Sequence, residues 1–496
     1  MKEKFLSNFL LLFIVNLVVK PAWLFGDLLV QRTTGEAYGK YFVLFNLSLL
    51  FNMLLDMGTS NYNNRKLAGN PNKFAVYFSN VMTLRLVLSS IYLILLMGTA
   101  VIFSYTEKEL NFLFVLGLSQ ILLAFITYFR ANLTALGHFK LDSIVSVTDR
   151  IMMCILLFGL FYFDAQKVSI SSFIYVQFWG YITAFLLVLV FLISQKGWVF
   201  PRFKWRFKKV LILKSYPYAL ITILMLLYSY SDSIMLDRML SNGMWENMIY
   251  AQSFRVLMAS NNYIYLVAIL LLPLFSKMIK KRESVAELLR LSGSLVIYGT
   301  LVLALLCSYF SSEFIHLLYA HYDESLALLD RFNSSSEHVL NEQELVYSAK
   351  VFQVLLWSII PMSFNYIYGV LLTAGGKMKI LNQIAGTGVV LNIALNWWLI
   401  PNFGAFGAAI ASCFTQGLCA VGQWYFCYKE HHISFSVVHF LKFIGAFAAL
   451  LGLLITLDEF LSSFILFLLA SSAAVVFMFL FRISSISNIK AQLVKS

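Results

Sequence analysis

Fourteen apolar stretches, most of them about 20 residues long, follow one another along this chain with short polar connections between them. A stretch of that length crosses the hydrocarbon core of a bilayer as an α-helix, whereas a membrane-spanning β-strand needs only about ten residues of alternating polarity. The sequence therefore predicts an all-α, polytopic membrane protein. The predicted spans are residues 5–29, 41–60, 81–103, 110–128, 144–163, 171–194, 211–236, 250–275, 289–318, 347–373, 380–400, 405–427, 437–457 and 460–481.

The composition agrees with a membrane protein. Apolar residues make up 60% of the chain and charged residues 12%, whereas soluble domains carry about 25% charged residues. The formal net charge of +13 could suggest a nucleic-acid-binding protein. The Lys and Arg residues, however, lie in short loops that alternate along the chain, so we expect no nucleic-acid partner.

The loop 195–214 fixes the predicted orientation, because it contains seven of the 37 Lys and Arg residues and no acidic residue. Basic loops are retained on the cytoplasmic side. With this loop inside, cytoplasmic loops contain 25 cations and the opposite loops 7. We therefore expect a multi-pass membrane protein with both termini in the cytoplasm.

Lys20 and Pro21 form the most distinctive local feature, because they lie near the middle of the first span. A charge at that depth costs about 2.5–3.5 kcal/mol on insertion scales, so it should face protein or water. Pro21 cannot donate the usual backbone hydrogen bond and is expected to kink the helix. Lys20 is thus a candidate for contact with an anionic substrate; the alternative is a lysine that snorkels or pairs structurally.

Other charged residues within or near the spans are further candidates for a substrate-binding cavity. Asp232 and Arg255 lie in the outer thirds of the adjacent seventh and eighth spans. They could pair with each other, or they could bind a substrate phosphate and a coupling proton or cation separately. Four more lie near predicted cytoplasmic helix ends, where ion pairs are the favoured interpretation. These four are Asp56, Arg85, Asp149 and Arg150.

Several kinds of site have no sequence signal. Gly375-Gly376-Lys377 lacks the glycine spacing of a phosphate-binding loop, so no ATP site is expected. The histidines show no metal-ligand spacing, and no nucleophile–base arrangement can be recognised. We therefore expect a protein that is not an enzyme and has no cofactor or metal, with H⁺ or Na⁺ as the candidate coupling ion. The small residues of 404–412 (GAFGAAIAS) predict close helix packing.

Two segments suggest an internal repeat. Residues 27–41 read DLLVQRTTGEAYGKY, and residues 232–238 read DSIMLDR before ENMIYA at 246–251. Each has an acid at the end of an odd-numbered span, then an Arg, then Tyr-Gly or Tyr-Ala as the next span begins. This pattern makes the first and seventh spans equivalent and predicts two six-helix halves, a transporter design with the substrate between the halves.

Three stretches resemble bacterial polysaccharide flippases. Residues 32–41 (RTTGEAYGKY), running on to LDMG at 55–58, resemble their opening. Residues 232–276 resemble their seventh and eighth spans, and 391–408, with Asn392, Asn396 and Pro401, resemble their eleventh and twelfth. The resemblance is to the Wzx-like O-antigen and polysaccharide repeat-unit flippases of the multidrug/oligosaccharidyl-lipid/polysaccharide (MOP) exporter superfamily.

The resemblance implies a V-shaped, MATE-like bundle of two six-helix lobes, residues 1–194 and 215–430. These are joined by the basic loop and followed by two additional helices and a cytoplasmic tail in 431–496. It also implies transfer of an undecaprenyl-diphosphate-linked oligosaccharide from the inner to the outer leaflet by alternating access, for surface polysaccharide or O-antigen synthesis. Membrane lipids and other polysaccharide-assembly proteins are the implied partners.

Two other classes of protein remain as alternatives. Drug exporters of the same superfamily typically carry an acidic site in span 1, whereas here that span has Lys20, with Asp27 only at its outer end. This difference favours an anionic lipid-linked substrate over a cationic drug. Membrane glycosyltransferases or polymerases usually need an acidic metal-binding pair in the first outer loop, and residues 31–40 contain only Glu36.

Overall fold

The computed structural model describes residues 2–57, 59, 67, 74–164, 167–197, 205–319, 340–431, 437–481 and 483. Side chains are described throughout these ranges except at 2–17, 139, 196, 205–218 and 437–440. Most of the basic loop 195–214 therefore lies outside the described side chains. Within the described residues all regular structure is helical, which confirms the all-α prediction.

The helices form two compact units, with the division between Met248 and Ile249. The helices of unit 1 are α1 (Lys2–Thr34), α2 (Glu36–Leu50), α3 (Met53–Asp56), α4 (Phe74–Ile102), α5 (Glu107–Ala135), α6 (Phe139–Phe163), α7 (Ile170–Lys196) and α8 (Trp205–Met239). The division falls near the start of α9 (Gly243–Lys280), most of which belongs to unit 2. The other helices of unit 2 are α10 (Ala286–Tyr309), α11 (Ser311–Tyr319), α12 (Glu342–Trp357), α13 (Ile359–Ala374), α14 (Met378–His431), α15 (Val437–Leu457) and α16 (Ser463–Leu480).

The observed helices match the fourteen predicted spans. Among the described residues, 11 helices are long and apolar enough to cross a membrane. One of them, α14, contains the predicted eleventh and twelfth spans, which the helix assignment merges across a kink. The first and thirteenth predicted spans coincide with α1 and α15. Hydropathy locates the spans because every backbone polar group in hydrocarbon must find its partner within its own helix.

The kink in α14 occurs at Gly404, whose φ of 56° and ψ of −135° are not helical. Glycine adopts a positive φ without the steric cost that a Cβ would bring. After the kink the chain returns so closely that a Cβ on Gly407 would lie 2.5 Å from the carbonyl oxygen of Leu399. The small residues of 404–412 thus permit close packing, as their sequence predicts.

We expect Gly407→Ala to lower the free energy of unfolding by about 1–3 kcal/mol, because the added methyl group overlaps the Leu399 backbone. Thermal denaturation of the purified protein in detergent measures this as a lower Tm. Gly417→Ala is the matched control in the same helix, because a Cβ at Gly417 has no neighbour within 4 Å. Equal Tm values for the two variants would contradict the close packing.

Packing in unit 1 connects helices that are distant in sequence. α1 packs on α6, α6 on α7, α7 on α5, α5 on α2, and α2 on α8. Asn46 of α2 donates a hydrogen bond to Ser233 Oγ of α8 at 2.9 Å. The seventh span therefore packs with unit 1 in this structure, and the predicted lobe boundary within 195–214 stays a prediction.

In unit 2, α10 packs on α12 and α13, and α13 packs on α14. The two C-terminal helices, α15 and α16, pack on each other and on α10. Their shared core includes Leu305, Phe310, Leu454 and Leu466. The Tyr298 hydroxyl donates a hydrogen bond to the carbonyl oxygen of Ala474 at 2.7 Å, so α10 and α16 are joined by a polar contact as well.

Candidate functional site

A group of cationic side chains lies on one region of unit 1, and we call it the cation group. It consists of Lys20 on α1, Arg130 on α5 and Arg150 on α6. Arg150, Arg130 and Asp149 are all close enough to act electrostatically on Lys20. The packing of α1 on α6 brings Lys20 and Arg150 together, although they are far apart in sequence. The structure thus joins three of the seven predicted site residues, Lys20, Asp149 and Arg150.

Arg150 is held in place by several neighbours. Its Nη1 lies 3.3 Å from Asp149 Oδ2 and donates a hydrogen bond to the Tyr181 hydroxyl at 3.3 Å. Its guanidinium carbon lies 5.9 Å from the ring centre of Trp23 and 5.7 Å from that of Tyr181. Both distances are in the range of cation–π attraction. Because its side chain keeps 29% exposure, Arg150 can still present N–H donors to a ligand.

The two other cations of the group differ in their partners. Arg130 Nε donates to Asp142 Oδ1 at 2.7 Å, so its charge is partly neutralised. Lys20 is exposed, and it forms no ion pair within the described part of the chain. Lys20 lies within electrostatic range of two arginines and of one carboxylate, Asp149, which is paired with Arg150, so its own charge can still attract an anion. The helix that carries Lys20, α1, continues through Pro21 as a single helix from Lys2 to Thr34.

Asp56 and Arg85 form a second charged site, and Arg85 is almost fully enclosed by other protein groups there. Arg85 is 1% exposed and makes an ion pair with Asp56. It also donates hydrogen bonds to Thr59 Oγ1 at 3.2 Å and to the carbonyl oxygen of Ala124 at 2.7 Å. The Tyr128 ring centre lies 4.7 Å from its guanidinium carbon. These contacts occupy Arg85 within the protein, and a substrate role for this pair stays a prediction.

Asp232 and Arg255 fall into different units. Asp232 lies on α8 with 1% exposure, beside Ser233, which accepts the hydrogen bond from Asn46. Arg255 lies on α9 and is half-buried. Their pairing and their contact with substrate both stay predictions.

Sequence reasoning missed an ionic and aromatic cluster at the predicted outer end of unit 1. Lys40 Nζ lies 3.0 Å from Glu109 Oε1 and 3.2 Å from Asp237 Oδ1. Arg238 Nε lies 3.4 Å from Asp237 Oδ2, and its guanidinium carbon lies 4.3 Å from the Tyr105 ring centre. Burial raises the pKa of the Tyr105 hydroxyl. The cluster joins α2, α5 and α8.

One sequence signal for this cluster was available. Thr106-Glu-Lys-Glu109 fits the capping-box pattern, and the structure shows both of its hydrogen bonds at the start of α5. That pattern locates Glu109 in the first turn of a helix, and only the structure shows Lys40 near it. It carries no information on Asp237, which reaches Lys40 only through the packing of α2 on α8. Among the described residues, no three His, Cys, Asp or Glu side chains are placed to hold a metal ion.

Several solved structures share this architecture. The lipid II flippase MurJ in an inward closed conformation matches with a TM-score of 0.75 and 13% identity, over 98% of this chain and 100% of that one. An inward-facing multidrug resistance MATE transporter of the MOP superfamily matches with a TM-score of 0.65 and 12% identity, over 84% and 95%. A MOP superfamily transporter from Pyrococcus furiosus, described as having a binding pocket of reverse polarity, matches with a TM-score of 0.56 and 13% identity, over 86% and 94%.

These matches define the class of fold as that of the MOP transporters and flippases. No curated protein sequence is significantly similar to the chain. Residues 5–279, more than half of the chain, match the family described as polysaccharide biosynthesis protein. The chain therefore belongs to the polysaccharide biosynthesis protein family, with a MOP-type fold.

Proposed function

We propose that this protein is a flippase that moves an undecaprenyl-diphosphate-linked oligosaccharide repeat unit from the inner to the outer leaflet of the bacterial cytoplasmic membrane. It works by alternating access, with both termini in the cytoplasm and with H⁺ or Na⁺ as the candidate coupling ion. The product serves the synthesis of surface polysaccharide such as O-antigen.

The cation group is the observation that carries the proposal. A diphosphate needs cationic partners, and Arg150 and Arg130 lie within electrostatic range of Lys20 in unit 1, which supports the proposal. Lys20 offers three N–H donors, and Arg150 offers a guanidinium already oriented by Tyr181 and Trp23. Charge-assisted hydrogen bonds to phosphate are about twice as strong as neutral ones. A cationic drug would be repelled by the same group.

A multidrug exporter is the second candidate, and Asp27 is the observation in its favour. Asp27 lies in the first span with 4% exposure and accepts a hydrogen bond from the Tyr38 hydroxyl at 2.7 Å. An acid in span 1 is typical of the drug-exporting relatives that the sequence resembles. Asp27 lies seven residues beyond Lys20, at the predicted outer end of the span, whereas Lys20 lies near its middle.

The proposal is tested by locating lipid-linked repeat units in cells that lack this protein. We expect them to accumulate on the cytoplasmic leaflet, protected from a membrane-impermeant glycan label in intact cells and labelled after permeabilisation. The wild-type gene should restore outward exposure and surface glycan. Normal surface glycan together with new sensitivity to cationic dyes would contradict the flippase and support the drug exporter.

A further inference from the structure

The ionic and aromatic cluster at the predicted outer end of unit 1 is not part of the diphosphate site proposed above. Lys40 of α2 lies between two carboxylates, those of Glu109 on α5 and Asp237 on α8. Arg238, the next residue of α8, lies over the ring of Tyr105, which directly precedes α5. The cluster therefore attaches the end of α8 to two other helices at once.

A second set of contacts lies next to the cluster, where α2 meets α8 and the start of α9. Asn46 donates a hydrogen bond to Ser233 Oγ at 2.9 Å, and both side chains are buried. Gly39 leaves room for the backbone of α9, because a Cβ there would lie 2.8 Å from the Met248 nitrogen. At this end of the unit, hydrogen bonds, ion pairs and close backbone packing thus act together.

The ion pairs of the cluster are of a kind that can break and form again. The side chains of Lys40 and Glu109 each keep 20% exposure, and that of Arg238 keeps 36%. Water can replace the partners of such groups, and partly exposed ion pairs contribute little net stability. The Asp56–Arg85 pair differs, because breaking it would leave Arg85 as a buried charge. The cluster thus combines a defined geometry with a low cost of opening.

The internal repeat gives a reason for α8 to move. α8 contains the seventh span, which the repeat predicts to be the first span of the second half, yet it packs on α2. We propose that the cluster and the Asn46–Ser233 contact form an outer latch. The latch holds the end of α8 on α2 and α5 while the outer side is closed, and it opens for release of the glycan. This inference rests on the proposed function, because alternating access requires the outer side to open in each cycle.

A disulfide across the latch tests whether α8 must leave α2 during transport. The double variant Asn46→Cys/Ser233→Cys is expressed in cells that lack the protein and is oxidised, and the cross-link is verified by mass spectrometry. The two side chains are short and in contact, as a disulfide requires. We expect surface glycan export to be lost on oxidation and to recover after reduction. The two single-cysteine variants, oxidised in the same way, should keep their export and are the matched controls.

The outcomes of this experiment are distinct. Full export by the cross-linked protein would overturn the latch, because α2 and α8 would then stay together throughout the cycle. Failure of the cross-link to form would also overturn it, because the closed contact would not be populated. A wild-type protein that exports no glycan would instead contradict the proposed function.

Reaction of Ser233→Cys with a membrane-impermeant maleimide in intact cells follows the latch without any cargo. Ser233 is buried, so labelling requires α8 to move away, and the wild type gives the background from native cysteines. Adding Lys40→Met removes two partly exposed ion pairs and should speed labelling about 2–30-fold. Lys108→Met is the matched control, because Lys108 is an exposed lysine beside Glu109. Equal labelling rates with Lys40→Met and Lys108→Met would overturn the latch.

Discussion

Lys20→Ala is expected to abolish surface glycan export at normal protein levels, whereas Lys20→Arg should retain it. Lys20 is exposed, lies near Arg150 and Arg130, and forms no ion pair within the described part of the chain. Its charge is therefore available to a phosphate. Losing one charge-assisted hydrogen bond costs about 1.5–3 kcal/mol, or about 10- to 150-fold in substrate affinity. Arginine keeps the charge and adds donors, so it can still bind a phosphate.

Complementation of cells that lack the protein measures this effect, with surface glycan as the readout and membrane protein levels checked in parallel. Lys167→Ala is the matched control, because it removes a lysine that is 76% exposed and paired with Asp164 at 2.8 Å, away from the cation group. Full export by Lys20→Ala would eliminate Lys20 as a substrate contact. Loss of export by Lys20→Arg would show that more than charge is required there.

Asp56→Asn is expected to be the most destabilising single change among the charged residues discussed above. It removes the carboxylate that pairs with the guanidinium of Arg85, which is 1% exposed, and keeps the neutral acceptors Thr59 Oγ1 and the Ala124 carbonyl oxygen. Breaking a buried ion pair costs about 3–5 kcal/mol, and we expect about 2–4 kcal/mol here because Asp56 keeps 35% exposure. The Tm of the purified protein should fall accordingly.

The double variant Asp56→Asn/Arg85→Met provides the control for this effect. Removing both charges eliminates the uncompensated cation, and methionine fills much of the space beside Tyr128. We expect the double variant to be more stable than Asp56→Asn alone. If the double variant is less stable by the sum of two independent losses, the ion pair is not the source of the effect.

Most of the architecture could be predicted from sequence, because each span had to be apolar over its own length. The glycines of 404–412 also predicted close packing, since small residues permit it wherever two backbones approach. The internal repeat and the resemblance to flippases agree with the MOP-type fold and the family. The substrate and the direction of transport remain proposals, because a fold shared with MurJ and MATE transporters accommodates both kinds of cargo.

The candidate site was only partly predictable. Lys20 could be selected because a charged side chain in the middle of a span is costly unless it faces protein or water. Lys40 and Asp237 were missed because each appeared to be an ordinary loop residue.

The sequence by itself determined the number, order and approximate limits of the spans, since burial of backbone hydrogen bonds in lipid is a requirement of each helix separately. Only the tertiary structure decided which side chains meet. Arg85 pairs with Asp56, Arg150 lies within electrostatic range of Lys20, and Lys40 contacts Asp237, which is 197 positions away in the sequence. Such pairs depend on how the helices pack. Hydropathy does not select the neighbour of an apolar helix surface, because many other helices offer surfaces of nearly equal hydropathy. The packing of side-chain shapes selects one arrangement, and with it the charges that a substrate can reach.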